Sequence, residues 1–189
     1  MDRPQNDTQQ RLIDSFKELM VQYPFNKITI KMITDKADVI RPTFYNYFRD
    51  KYEIFEVILD EELFVSIKNL LDINMYREAI KMIFKYFGEN HRFYRKAFQV
   101  TGQNSFEEIL TQKIQELEDY IFEDVDLQIE NNPSILTKDQ IIEYYAVNIV
   151  LVIKMWLLND REDYEADDIF DAYLFLMSND LQSMIEKNQ

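Results

Sequence analysis

Apolar residues recur with a helical period along most of the chain. The first predicted helix covers residues 8–22 and ends before Pro24, because the residue that precedes a proline disfavours the helical conformation. Its apolar face consists of Leu12, Ile13, Phe16, Leu19 and Met20, with charged side chains on the opposite face. Two short helices follow, over about 29–36 and 41–48, and only four residues separate them.

The rest of the chain has longer helical patterns. Asp50 is placed to cap a helix that extends to about Leu71. Five further helices are predicted at about 75–88, 89–99, 104–125, 137–159 and 166–187. Two glycines and four prolines are too few for a fold with many tight turns, so we expect an all-α protein.

The last two predicted helices carry apolar residues on nearly every face. This holds for residues 144–158 and 169–177, whereas the earlier helices have one apolar stripe. A helix that is apolar all round has two faces to bury, and a second subunit is the simplest cover for one of them. We therefore expect a homodimer through the helices at about 137–159 and 166–187; the alternative is that they form a central core.

Composition excludes several classes of function. The chain has no cysteine, which rules out disulfides and thiolate metal sites, and a single histidine, His91, which rules out most zinc chemistry. We predict no catalytic residue, no metal and no cofactor. Residues 1–10 are polar and the apolar stretch 144–158 is shorter than a membrane span, so we expect a cytoplasmic protein with no membrane partner.

The formal net charge of −14 is unevenly distributed. Residues 1–51 carry nine Lys or Arg and seven Asp or Glu, a net charge of +2. Residues 52–189 carry twelve Lys or Arg and 28 Asp or Glu, a net charge of −16. The N-terminal part is thus the place to look for a contact with nucleic acid.

The two short helices and their four-residue turn make a helix-turn-helix at about 29–48, which offers its second helix to a major groove. The outward side chains of that helix are Arg41, Thr43, Asn46 and Tyr47. Arg41 can read guanine or pair with a phosphate, and Asn46 can read adenine. The predicted phosphate donors are Thr29, Tyr45, Tyr47 and Lys51.

The residues around this turn also form a family pattern. Its positions are occupied by Thr29, Ala37, Val39, Thr43, Phe44, Tyr45, Tyr47, Phe48 and Lys51. The pattern resembles the DNA-binding domain of the TetR family of transcriptional regulators. The resemblance implies a three-helix DNA-binding domain over residues 7–68 and a larger helical regulatory and dimerisation domain over 69–189. It also implies a pseudo-palindromic operator in double-stranded DNA as partner.

Four residues depart from the family pattern. Asp38 stands in the turn where the family has glycine, and aspartate tolerates the left-handed conformation better than most residues. Ile40 replaces a serine that caps the recognition helix and donates to a phosphate, Pro42 removes a backbone N–H nearby, and Tyr52 replaces a glutamate. These differences predict weaker phosphate anchoring at the start of the recognition helix.

In the family, an effector binds between the middle helices of the larger domain. The candidate pocket residues are Tyr86, Phe87, His91, Phe93, Tyr94, Phe98, Phe122, Tyr145, Asn148 and Trp156. The alternative is that they are ordinary core residues. Residues 91–106 are also similar to a TetR subgroup that includes a regulator of dihydroxyacetone-kinase genes, which works through a protein co-activator. The effector is therefore either a small molecule or a protein partner.

Together these features predict a sequence-specific, effector-responsive repressor that acts as a homodimer and is not an enzyme. The alternative is an adaptor or co-activator-dependent regulator with a weak DNA-binding head, which Ile40 and Pro42 favour. A helical carboxylate–metal enzyme is a third hypothesis, and the absence of any Glu-x-x-His pair argues against it.

Overall fold

The computed structural model describes residues 3–122, 136–159 and 164–186, and most of them are helical. The α-helices are α1 (Arg3–Gln22), α2 (Ile30–Lys36), α3 (Arg41–Tyr45), α4 (Glu53–Leu59), α5 (Val65–Asp72), α6 (Tyr76–Glu89), α7 (His91–Ala97), α8 (Phe106–Phe122), α9 (Lys138–Leu158), α10 (Ala166–Ser178) and α11 (Leu181–Glu186). A 3₁₀ turn covers Phe25–Lys27 and a π-helical segment covers Asp60–Phe64. These ranges contain no β-strand, which confirms the all-α class.

Helices α1, α2 and α3, here called the head, pack around a small apolar core. Leu12 and Phe16 of α1, Ile33 of α2 and Phe44 of α3 are all fully buried. Leu12 and Phe16 lie on the apolar face that the sequence pattern predicts for the first helix. Burial of four such side chains favours the packed head by roughly 1.5–3 kcal/mol each, before the entropy cost of ordering the chain.

Two polar side chains mark where helices begin. The Thr29 hydroxyl oxygen accepts the N–H of Met32 at 3.2 Å and caps α2. Asp50 Oδ1 accepts the N–H groups of Tyr52 at 2.7 Å and Glu53 at 3.1 Å, at the start of α4. The cap at Asp50 is as predicted. Both side chains satisfy backbone donors that have no partner within the helix.

Helix α4, the π segment and α5 form one continuous run from Glu53 to Asp72, close to the predicted 50–71. The N–H of Val65 bonds to the carbonyl of Asp60, five residues back, as in a π-helix. Phe55 on this run contacts both neighbours: its ring centroid lies 5.2 Å from Phe16 of α1 and 5.3 Å from Phe106 of α8. The run therefore joins the head to the larger set of helices.

Helix α9 buries one face against its neighbours and exposes another. The buried residues are Ile142, Ala146, Ile149, Val150, Ile153 and Leu157. Among the described helices α9 is the one long and apolar enough to cross a membrane by length and composition, a test that the core helix of a soluble protein also passes. The prediction that this apolar stretch is shorter than a membrane span was therefore wrong, because the helix has 21 residues.

Two predicted helices in the C-terminal part of the chain differ from the structure. The helix expected over 89–99 is shorter, as α7, and the helix expected over 166–187 is divided into α10 and α11. The chain becomes extended at Asn179, whose side-chain amide donates to the carbonyl of Phe175 at 2.8 Å. Such a side-chain bond to the backbone competes with helix continuation. Residues 123–125 and 187, also expected to be helical, lie outside the described ranges.

Candidate nucleic-acid interface

The turn between α2 and α3 is built around a left-handed residue. Asp38 has a φ of 53°, at the position where the related pattern has glycine. The N–H of Val39 bonds to the carbonyl of Thr34 at 3.0 Å and closes the turn. Arg11 of α1 donates to the carbonyls of Ala37 and Asp38. The turn is thus fastened to α1, which fixes the direction of α3.

Helix α3 presents an ordered pair of side chains to solvent. Arg41 Nη2 donates to the hydroxyl of Tyr45 at 3.0 Å, and the guanidinium carbon lies 5.7 Å from the Tyr45 ring centroid. Both side chains are exposed. Because guanidinium has five N–H donors, this contact leaves others for a base edge or a phosphate. Arg41 and Tyr45 are therefore held together and available at the start of the recognition helix.

The recognition helix is shorter than the predicted 41–48, since α3 ends at Tyr45. Asn46 keeps right-handed angles, φ −76° and ψ −19°, and the N–H of Phe48 still bonds to the carbonyl of Phe44 at 3.0 Å. The backbone therefore continues along a helical path without a second regular turn. Asn46 is exposed.

Two other side chains that are predicted to contact DNA are only partly exposed. Thr43 and Tyr47 are both half-buried. Tyr47 packs beside Phe48, with 6.4 Å between the ring centroids. Both side chains therefore expose only part of their surface on the outward face that the sequence predicts, and Tyr47 also packs against the core residue Phe48.

The predicted phosphate donors outside α3 differ in availability. Thr29 is exposed, and its hydroxyl hydrogen is not used by the cap. Lys51 is half-buried, donates to the carbonyls of Phe25 at 2.7 Å and Ile28 at 2.9 Å, and lies 4.0 Å from the Phe25 ring centroid. Burial lowers the pKa of Lys51. Two of the three ammonium N–H groups thus serve the connection between α1 and α2, and a phosphate contact by Lys51 stays a prediction.

The start of α3 carries no polar side-chain cap. Ile40 occupies the N-cap position with extended backbone, φ −82° and ψ 151°, and makes no cap hydrogen bond. Its side chain is 70% exposed. Pro42 lies in the first turn of α3 as expected. The first turn of α3 therefore has no side-chain cap at the position where the related pattern has serine.

A chain of polar contacts, which the sequence did not predict, joins the head to the larger set of helices. Lys17 of α1 lies 2.6 Å from both carboxylate oxygens of Glu62 in the π segment. The hydroxyl of Tyr86 on α6 donates to Glu62 at 2.9 Å, and the hydroxyls of Tyr86 and Tyr94 are 2.7 Å apart. Burial raises the pKa of both tyrosines. No local pattern reveals such a chain, because its members lie on four separate elements.

The candidate pocket residues do not surround a single cavity. Phe87, Tyr94 and Phe98 are buried, and their rings pack with Phe106: the centroids of Tyr94 and Phe98 lie 5.2 Å and 4.9 Å from that of Phe106. Phe93 packs towards the head. This group therefore forms an aromatic core, which was the alternative interpretation.

The other candidates are dispersed. Tyr145 is exposed on α9, and Asn148 donates to the carbonyl of Tyr144 at 2.6 Å. The Phe122 side chain lies outside the described part of the molecule. His91 and Trp156 come together at an open cavity of about 970 Å³ between α6, α7 and the facing ends of α9 and α10. Its volume lies within the usual range for small-molecule sites.

Two family models match the chain. One, described as bacterial regulatory proteins of the tetR family, matches residues 12–58, which include the turn, α3 and Lys51. The other, described as a transcriptional regulator C-terminal region, matches residues 74–182, more than half of the chain. The two matches thus cover both the candidate DNA-binding head and the larger set of helices.

Individual proteins agree with these matches. The chain is 26% identical over 147 residues to DhaS, the HTH-type transcriptional activator of the dhaKLM operon in Lactococcus lactis subsp. lactis (strain IL1403), with 78% of each chain covered. A solved structure of the dihydroxyacetone kinase operon activator DhaS has a TM-score of 0.61 at 23% identity. The match covers 90% of this chain and 94% of the DhaS chain.

Two further solved structures share the fold. A putative TetR-family regulator from Syntrophomonas wolfei has a TM-score of 0.65 at 15% identity, with 92% and 94% of the chains covered. NalD, the secondary repressor of the MexAB-OprM multidrug efflux pump in Pseudomonas aeruginosa, has a TM-score of 0.63 at 14% identity, with 92% and 95% covered. With the helix-turn-helix in place and both parts of the chain matched, the protein belongs to the TetR family of DNA-binding transcriptional regulators.

Proposed function

We propose that this protein acts in the cytoplasm as a homodimeric, effector-responsive repressor of a pseudo-palindromic operator. Residues 7–68 form the DNA-binding domain and residues 69–189 the regulatory and dimerisation domain. The observation that supports this most strongly is an apolar face of α9 and α10 that the monomer leaves open.

The proposed dimer face follows one side of α9 and continues onto α10. Its exposed residues are Tyr144, Val147, Leu151 and Met155 on α9 and Phe175 and Leu176 on α10. Spacings of three and four residues place the α9 members on one stripe. An exposed apolar stripe of this length is characteristic of an interface, and a two-fold axis lets the same face cover itself.

We assign the DNA contacts as the sequence predicts them. Arg41 reads guanine or pairs with a phosphate, Asn46 reads adenine, and Thr43 faces the groove. The phosphate donors are Thr29, Tyr45, Tyr47 and Lys51. In the dimer, two α3 helices would enter successive major grooves about 10 bp or more apart.

We propose that α7 carries the effector signal to the head. His91, at the start of α7, borders the cavity, and Phe93, two residues later, lies 6.1 Å from Phe16 of α1 between ring centroids. A shift of α7 on effector binding would thus reach α1 directly, and Arg11 connects α1 to the turn before α3.

The proteins similar to this chain regulate in opposite directions. NalD is a repressor and DhaS an operon activator. We favour repression because a dimer on an operator can block a promoter without any further contact. A reporter fused to the selected operator, compared with and without this gene, should show higher expression in its absence; lower expression would indicate activation.

Selection of bound duplexes from a random DNA library tests the dimer and the operator together. At about physiological salt, the wild type should recover a palindromic motif. Leu151→Asp places a charge within the proposed face, so it should sediment as a monomer and lose the palindrome. Val65→Asp is the control, because Val65 is also an exposed apolar residue but lies on α5, outside the proposed face.

The outcomes separate the hypotheses. If Leu151→Asp remains dimeric, the interface lies elsewhere. If the wild type recovers no motif at physiological or low salt, the adaptor with a weak DNA-binding head is the better interpretation.

A further inference from the structure

We infer that a cleft between the head and the end of α7 binds a phosphate group through Lys51 and Lys96. The cleft has a volume of about 410 Å³ and is lined from residues 23–26, 51–52 and 96–101, so it lies where the head meets the larger domain. It shares no lining residue with the cavity at Trp156. The inference rests in part on the proposed function, because Lys51 is one of the phosphate donors assigned there.

The charged side chains that line this cleft are basic. Lys51 comes from the head and Lys96 from α7, and none of the described residues in the lining is Asp or Glu. Residues 91–106, which include Lys96, carry three Lys or Arg and no Asp or Glu, although residues 52–189 as a whole have a net charge of −16. A cleft lined by charge of one sign concentrates ions of the opposite sign.

Lys51 is a half-buried cation that lacks a counter-charge. Its ammonium donates to the carbonyls of Phe25 at 2.7 Å and Ile28 at 2.9 Å, which leaves one N–H for another acceptor. Burial lowers the pKa of Lys51, and within the described ranges no carboxylate offsets this effect. A bound anion would stabilise the charged form at this position.

The other polar groups of the cleft are available as donors. Lys96 is exposed in the last turn of α7, and its side chain makes no hydrogen bond or ion pair to another described residue. The same holds for the side chains of Asn26, Gln99 and Thr101. Ammonium, amide and hydroxyl groups are the usual donors to phosphate oxygens. A phosphate carries more charge and more acceptor oxygens than a carboxylate, so it matches two lysines and several neutral donors better.

The phosphate belongs either to the DNA backbone or to a free phosphorylated molecule. In the first case, Lys96 adds a contact from the larger domain to those of the head. In the second case, the volume of the cleft is sufficient for a small phosphorylated molecule. In both cases the bound group joins the head to α7, because its two lysines lie on opposite sides of the junction.

Titration of the full-length protein with sodium phosphate tests the free ligand, with the ionic strength held constant by sodium chloride. We expect saturable shifts of the backbone amide NMR signals of Gln99 and Thr101. In Lys96→Gln the dissociation constant should be about fivefold or more higher, because a charge-assisted hydrogen bond is lost. Lys68→Gln removes an exposed cation on α5 outside the cleft and should leave the constant within about twofold, because salt screens distant surface charges.

The salt dependence of DNA binding tests the DNA backbone as the source. Each phosphate that a protein neutralises adds about 0.9 to the slope of log affinity against log salt concentration. If a backbone phosphate occupies the cleft, Lys96→Gln should reduce this slope by about 0.9 per subunit, on the selected operator and on unrelated DNA alike. Lys68→Gln should leave the slope unchanged.

The two tests together decide the inference. A reduced slope in Lys96→Gln assigns the cleft to the DNA backbone, whether or not free phosphate also binds there. Saturable phosphate binding that depends on Lys96, with an unchanged slope, assigns it to a free phosphorylated molecule. Agreement between Lys96→Gln and Lys68→Gln in both tests would overturn the inference. A wild type that binds no DNA would instead contradict the proposed function, and the phosphate titration would still test the cleft.

Discussion

At the scale of single residues, the start of the recognition helix depends on an unusual side chain. Ile40 supplies no cap and leaves an apolar side chain in solvent. Replacement by serine should add a hydrogen bond to the first turn of α3 and stabilise the protein by about 1 kcal/mol. The serine hydroxyl would also give α3 a donor for a phosphate, so affinity should rise for all DNA sequences alike.

Thermal unfolding and DNA binding of Ile40→Ser measure both effects. Ile73→Ser is the control, because Ile73 is also an exposed isoleucine but lies after α5, where a hydroxyl caps no helix N-terminus. A lower melting temperature for Ile40→Ser than for the wild type would show that the isoleucine makes a stabilising contact.

Lys51 makes backbone contacts that the sequence pattern does not predict. The family pattern predicts a phosphate contact, yet its ammonium lies against the carbonyls of Phe25 and Ile28. Those carbonyls belong to a 3₁₀ turn and its end, more than twenty residues earlier in the chain. Helical periodicity describes faces of one element and carries no information about such a contact. By contrast, the caps at Thr29 and Asp50 were predictable, because each depends on residues two or three positions away.

At the scale of elements, α8 holds a carboxylate in an unfavourable position. One oxygen of Glu118 is buried and has no hydrogen-bond partner in the described part of the chain. Burial raises its pKa to about 8, and the neighbouring charge of Asp119 adds to this effect. Burial, followed by the charge of Glu118, raises the pKa of Tyr173 on α10 to about 12. The acidic residues of α8 look solvent-facing in sequence, and only packing against other helices buries one of them.

The raised pKa of Glu118 gives stability a defined dependence on pH. Because the folded state favours the protonated acid, its contribution is fully present below pH 4.5, the unfolded value, and is lost as pH rises through about 8. Glu118→Gln should therefore match the wild type near pH 4 and be more stable at pH 9, by about 1–3 kcal/mol, because only the wild type then buries a charge without a partner.

Chemical denaturation at the two pH values measures this difference. Glu143→Gln, at an exposed glutamate on α9, should change stability equally at both. If Glu118→Gln shows the same difference from the wild type at pH 4 and pH 9, the pKa of the Glu118 carboxyl is not raised in the folded protein.

Among the elements, the apolar pattern on all sides of α9 predicted its two apolar faces. It predicted a helix with two faces to bury, and the structure has one face in the core and another exposed. The predicted single helix over 166–187 failed for a local reason, because Asn179 bonds back to Phe175 and the backbone becomes extended. Apolar spacing continues across that break and conceals it.

At the scale of the whole molecule, the fold class, the order of helices and the position of the turn could be predicted, since each follows from periodicity and turn residues. The arrangement of the larger domain could not. Its candidate pocket residues were chosen as aromatic, and aromatic character does not distinguish the core around Phe106 from the cavity at Trp156. That distinction depends on how α6, α7, α9 and α10 meet.

The ion pair between Lys17 and Glu62 joins the head to the larger domain. Lys17 and Glu62 are largely shielded from solvent, with side chains 24% and 30% exposed, whereas Lys31 and Asp35 form a similar pair on α2 with 79% and 61% exposed. Shielding strengthens an ion pair, and Tyr86 further orders the Glu62 carboxylate. A double-mutant cycle of Lys17→Met and Glu62→Gln should give a coupling energy of about 1–2 kcal/mol.

The corresponding cycle of Lys31→Met and Asp35→Asn should give about 0.5 kcal/mol or less, because exposed pairs within one helix contribute little. If the first pair fastens the head, Glu62→Gln should also speed hydrogen exchange of α1 amides more than those of α9. Equal coupling energies in the two cycles, with unchanged exchange in α1, would mean that the aromatic contacts of Phe16 with Phe55 and Phe93 hold the head by themselves.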